Sequence, residues 1–259
     1  MLKLLVYTRS FMGIDDYLSV ATRLHHVFGV SVHFLHRYKT DEQTVEMPIN
    51  LNSRYIKQAP EDMNISEHRI SKANRDLVKS YAEGIKAEMM VTQVSRYPEG
   101  GNTNIQTLYQ TAKELGLPML LLKKGFEKLN PKHVLLIADA EYFGKGVQIN
   151  ALKKFVDSQK GKIHLLHILH KKEMEDIATE QMKFFAKEHH IYPASFHLIN
   201  HKNLEKSLTK LCQEMSIDLI CIRTHGNQNM GKFFLEHSDI NFLLNSKIPL
   251  LTFHLKHYD

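Results

Sequence analysis

At 259 residues the chain suits one large domain or two of roughly 130 residues each. An apolar share of 43% with 24% charged residues is a globular balance, and no apolar run approaches the ~20 residues of a membrane span. The net charge of +6 comes from lysines spread along helix faces and loops, with no basic block, which argues against a nucleic-acid partner.

The opening "MLKLLVYTRS" lacks both a long apolar stretch and a small-residue cleavage site, so it reads as a first strand and not as a secretion signal. "SVHFLHRY" at 31–38 is a second apolar run. An irregular stretch, "KTDEQTVEMPINLNSRYIKQAPEDMN", follows it. Residues 65–70 then read as a strand, 72–84 as a helix, "AEMMVTQ" as a strand, 104–115 as a helix, and "GLPMLLL" as a last strand. In the second half, strands are expected at about 133–139, 162–169, 194–200, 217–223 and 249–255. Helices are expected between them at about 145–159, 171–189, 203–215 and 231–245. Ile149, Leu152, Phe155 and Val156 mark one buried helix face; Leu204, Leu208 and Leu211 mark another, with Asn203 as its N-cap. The Met89-Met90 and Phe184-Phe185 pairs read as core, and the "HH" pairs at 25–26 and 189–190 as helix ends suited to the dipole.

The chain is written twice. "SVHFLHRY" matches "KIHLLHIL" at 162–169, placing His36 and His167 131 positions apart. "GLPMLLL" matches "KIPLLTF", placing Pro118 and Pro249 at the same offset. "KLLVYT" matches "VLLIAD", which pairs Thr8 with Asp139, and "AEMMVTQ" matches "IDLICIR" at an offset of 130. The junction falls in "KKGFEKLNPKH", giving domains at 1–125 and 131–259, the first divergent. Mostly continuous apolar strands alternating with amphipathic helices indicate an α/β chain of two tandem, doubly wound, five-stranded parallel-sheet domains.

The segment "IDLICIRTHGNQNMGKFFLEH", 217–237, has the strand, loop and helix order that binds phosphate in such sheets. Together with "LLIAD", "LLHIL" and "SKIPLL", it makes the chain resemble the universal stress protein family in its tandem two-domain form. The resemblance implies the adenine nucleotide alpha hydrolase-like fold and a stress-linked role. Family members that bind ATP carry G-x-x-G, nine residues, then G-[S/T] after the fourth strand, and their first-strand aspartate contacts the adenosine end. Here Asp139 matches the aspartate and Gly226 the second glycine. Arg223 stands at the first glycine, Thr224 lies between them, and Glu236 and His237 replace the final pair.

A Cβ at Arg223 takes space that a backbone approach to phosphate needs. A carboxylate at Glu236 repels a phosphate at ~4 Å by roughly 1–4 kcal/mol. Pairing of Arg223 with Glu236 across the site is expected to plug it. The sequence therefore indicates a non-enzymatic protein with degenerate nucleotide sites and no resident cofactor. ATP bound, or slowly hydrolysed, by the second half is the alternative. The first half departs further, since Gly100 and Gly101 are adjacent instead of spaced.

A third reading is a divalent-metal module, because His170, His201 and His225 follow three successive strands near Asp139; as exposed loop residues they need hold nothing. His36 and His167 read as hydrogen-bonding groups near strand ends. No nucleophile elbow, P-loop lysine or paired carboxylates mark an enzyme. Cys212 and Cys221 read as buried thiols in a reduced cytoplasm. The apolar fifth strands are edge surfaces that invite association, between the two halves or in a homodimer.

Overall fold

The computed structural model describes residues 1–8, 14–37, 59–70, 75–94, 103–123, 130–137, 147–169, 175–192, 194–200, 204–224 and 247–254. The chain divides into two compact units, Met1–Leu129 and Asn130–Asp259.

In the first unit, the strands are β1 (Leu2–Thr8), β2 (Val30–Arg37), β3 (Ile65–Ile70), β4 (Met89–Val94) and β5 (Met119–Lys123). The helices are α1 (Ile14–Phe28), α2 (Arg75–Gly84) and α3 (Thr103–Leu115). All neighbouring strands run parallel, in the order β3-β2-β1-β4-β5. The second unit has strands β6 (His133–Ile137), β7 (Lys162–Leu169), β8 (Ala194–Asn200), β9 (Leu219–Thr224) and β10 (Leu250–His254). Its helices are α4 (Val147–Ser158), α5 (Glu175–Glu188) and α6 (Leu204–Glu214). The order is again all parallel, β8-β7-β6-β9-β10. β7 and β10 are buried along nearly their whole length, the pattern of parallel strands covered on both faces. The edge strand β3 differs. Its burial alternates over residues 65–68, and it carries the pair Arg69–Glu67 at 3.1 Å, charge that discourages further strand pairing.

The buried helix faces are those expected from periodicity: Ile149, Leu152, Phe155 and Val156 in α4, and Leu204, Leu208 and Leu211 in α6. Met89 and Met90 are core as well, but Phe184 is not. Its ring is 66% exposed while Phe185 is fully buried, because consecutive positions on a helix point about 100° apart. The helix expected at 231–245 and the N-cap Asn203 lie outside the described residues.

Pairing register corrects one part of the repeat alignment. Leu5 pairs with His33, and Leu135 with His164, so the first strands correspond at 135 − 5 = 130. Leu4 pairs with Met89, and Val134 with Leu219, which gives 130 again. Thr8 therefore corresponds to Ala138, and Asp139 to Arg9. Apolar strands tolerate a one-residue slip in sequence matching, whereas the hydrogen-bonded ladder does not.

Candidate ligand-binding edges at the strand switch points

In an open parallel sheet the ligand crevice lies at the carboxyl ends of the two strands where chain order reverses. Here those are β1 and β4 in the first unit, and β6 and β9 in the second.

In the second unit the last pair between the two strands is Ile137↔Ile222. β9 runs two residues further, with the backbones of Arg223 and Thr224 paired to Phe253 and His254 of β10. Both residues thus stand at the carboxyl end of the switch strand, while Asp139, Gly226, Glu236 and His237 lie outside the described residues. Asp139 and Gly226 are each two positions beyond the last described residue of their strands. On β10, Thr252 and His254 are buried, with Thr252 Oγ1 3.1 Å from His254 Nε2. The expected metal ligands His170, His201 and His225 also lie outside the described residues. Among the described residues, no group of three or more His, Cys, Asp or Glu is arranged to hold a metal ion.

The first unit shows its switch point in more detail. Tyr17, in the first turn of α1, is buried, and its hydroxyl reaches the main-chain oxygen of Tyr7 at 3.5 Å. Thr92 on β4 donates its hydroxyl to the same oxygen at 3.0 Å. Beside them Gln93 donates its amide to Asp16 at 2.7 Å, tying β4 to α1. Burial pushes the Tyr17 phenol up to about 12, against the lowering effect of hydrogen bonds to Gln93, Thr92 and Thr8. Tyr17 and Thr92 thus meet at the Tyr7 carbonyl, close to the carboxyl ends of β1 and β4. Sequence reasoning missed this cluster because Tyr17 and Thr92 are 75 positions apart and meet only when β4 crosses back to lie beside β1.

Both repeat-related histidines, His36 and His167, are buried. His36 sits opposite Thr8, is buried, and stacks on Phe34 with ring centroids 5.6 Å apart. Burial, followed by the nearby Arg69 charge, pushes its imidazole down to about 4. His25, in the last turn of α1, accepts the Val30 N–H at Nδ1 (2.9 Å), leaving Nε2–H to reach Asp62 at 3.1 Å. Both cysteines are buried free thiols, as expected. No helix among the described residues is long and apolar enough to cross a membrane.

Neither family models nor the sequences of characterised proteins give a match to the chain. Solved structures do. A universal stress protein described as such from Pseudomonas aeruginosa UCBPP-PA14 superposes with a TM-score of 0.65 at 12% identity, covering 97% of this chain and 92% of its own. A universal stress protein from Archaeoglobus fulgidus gives 0.59 at 12% identity, covering 99% and 97%. The cytoplasmic domain of a prokaryotic cation chloride cotransporter gives 0.61 at 14% identity, covering 97% and 94%. The chain therefore has the universal stress protein fold, and the likeness extends over both of its halves.

Proposed function

We propose that this chain is a cytoplasmic, non-enzymatic stress-response protein of the universal stress protein type, acting by binding, with neither switch-point crevice serving as an ordinary nucleotide site. The observation that carries this reading is the place of Tyr17. Its hydroxyl, with Thr92, takes up the Tyr7 carbonyl at the β1–β4 crevice, where a ligand would otherwise enter.

The second unit supports the reading through its chemistry. Arg223, at the carboxyl end of β9, and Glu236 stand where nucleotide-binding relatives have glycine. Their pairing would neutralise the carboxylate and occupy the phosphate position. Asp139, Thr224, Gly226 and His237 complete the set proposed to line that edge.

Equilibrium binding of labelled ATP with Mg²⁺ tests this. The wild-type chain is expected to show no micromolar binding, and Glu236→Gly to restore part of it. Micromolar binding by wild type that is abolished in Asp139→Ala would overturn the reading in favour of an ATP-binding second unit. Metal co-purifying with the chain, and lost on replacing His225, would favour a metal module instead.

A further inference from the structure

The second unit carries an imidazole chain that neither the switch point nor the expected metal set includes. His133 on β6, His164 on β7 and Ser195 and His197 on β8 lie across three adjacent strands. His133 Nδ1 is 3.0 Å from His164 Nε2, and His164 Nδ1 is 2.5 Å from Ser195 Oγ. Ser195 Oγ is 3.0 Å from His197 Nε2. The ring centroids lie close as well, 5.3 Å apart for His133 and His164 and 5.9 Å apart for His164 and His197. His164, the central member, is 6% exposed.

The first unit holds the same device in altered form. His33 faces Ser66 at 2.7 Å in the register that places His164 opposite Ser195, and His68 stands where His197 does. Where the second unit has His133, the first has Lys3: the Lys3 carbonyl accepts the Glu88 N–H, as the His133 carbonyl accepts that of Asp218. One unit thus ends its chain on a lysine and the other on a histidine.

An N–H···N bond between two rings requires one bare nitrogen. With both rings neutral, either can donate; with one protonated, the charged ring donates. With both protonated, two N–H groups face each other at 3.0 Å and two like charges share a poorly solvated site. We propose that His133 and His164 form a one-proton pair, which makes the β7–β8 half of the second unit acid-labile. The groups facing His164 offer no escape. They are His133, Lys162 on its own strand, and Ser195 and His197 on β8. Asp218 accepts the Lys132 and His133 main-chain N–H groups and also interacts electrostatically with His133, so its carboxylate favours charge on the His133 side of the pair and gives none to His164. Cys212 is the titratable group buried on α6 and carries no charge, while the buried faces of α4 and α5 are apolar. Burial, the neighbouring imidazoles and Lys162 hold the His164 ring down to about 4.

His164 is depressed in the folded state, so its contribution is fully present above the ordinary imidazole value and is lost as pH falls from there toward about 4. Each excluded proton raises the opening constant about tenfold per pH unit in that window.

Hydrogen exchange by mass spectrometry on the full chain, corrected for intrinsic rates, tests this between about pH 7 and about pH 5. Peptides spanning 162–169 and 194–200 are expected to lose protection on acidification. In His133→Gln, whose amide oxygen accepts from a protonated His164, the loss is expected to be markedly shallower. Imidazole NMR gives an independent readout, with the His164 midpoint rising by about one pH unit in His133→Gln. Unchanged wild-type protection across this range, an equally steep loss in the variant, or a fixed His164 midpoint would each overturn the proposal.

Discussion

The carboxylate of Asp218 accepts the main-chain N–H of Lys132 at 2.8 Å, pinning the residues entering β6 to those entering β9. It also takes the His133 N–H at 3.3 Å. Glu88 does the same for Lys3 at 3.0 Å in the first unit, 130 positions earlier. Burial pushes the Asp218 carboxyl up, and the Lys132 and His133 N–H groups pull it back. Asp218→Ala is expected to lower unfolding free energy by about 1–2 kcal/mol, because it leaves these donors without an acceptor. Asp218→Asn keeps an acceptor oxygen and is expected to lose less. Urea denaturation at neutral pH measures both.

Gly161 is a second point where two strand entries meet. A Cβ there would lie 2.6 Å from the Pro131 oxygen, 2.9 Å from Val156 Cγ1 and 3.2 Å from the Lys132 oxygen. Two of these are backbone atoms, and the Lys132 oxygen already accepts the Lys162 N–H at 2.8 Å. Gly161→Ala is expected to destabilise by about 1–3 kcal/mol, read as a lower urea midpoint.

Several helices end on a left-handed residue that is not glycine, with φ of 54° at Lys86 and Lys160 and 51° at His190 and Ser216. After α6, Ile217 donates to the Cys212 oxygen at 2.9 Å across that residue, so the conformation is held by the cap. Ser216→Gly removes the Cβ strain but adds freedom to the unfolded chain. The net expectation is a gain of about 0.5–1 kcal/mol, against a loss for Ser216→Val.

Tyr17 makes the first unit sensitive to high pH. Its phenol is raised to about 12 in the folded state from an ordinary value of 10.0, so the fold keeps a proton that the unfolded chain releases. The contribution is fully present below pH 10 and is lost as pH rises toward 12, on the order of 2 kcal/mol at the upper end. The difference in urea midpoint between wild type and Tyr17→Phe is expected to narrow over that range. A constant difference would place the hydroxyl in solvent.

Burial pushes the Cys212 thiol up to about 11 and that of Cys221 well above its ordinary value. Neither is expected to react with a disulfide reagent at about pH 8 in the native state, and both to react in denaturant. Fast native labelling would mean that α6 opens readily from the sheet.

Much of the architecture was legible in the residues. Apolar runs at 162–169 and 194–200 became β7 and β8 with the same bounds, since a strand's burial pattern is written in its own residues. The Ser-x-His signature at 66–68 and 195–197 was also there to read, as a repeat displaced by 129. It went unread because polar positions in an edge strand resemble ordinary solvent-facing ones. Phe184 was misread for a different reason: a two-residue aromatic pair carries no helical phase.

The sequence by itself determined the duplication, the alternation of strands and helices, and the parallel sheets, all of which follow from local periodicity and internal repetition. Only the tertiary structure decided which positions correspond across the repeat, that Tyr17 and Thr92 meet at the Tyr7 carbonyl, and that His133 and His164 share one contact. These facts depend on which strands become neighbours and at what register. That choice is made by hydrogen-bond ladders between segments far apart in the chain, where a slip of one residue turns every side chain to the opposite face.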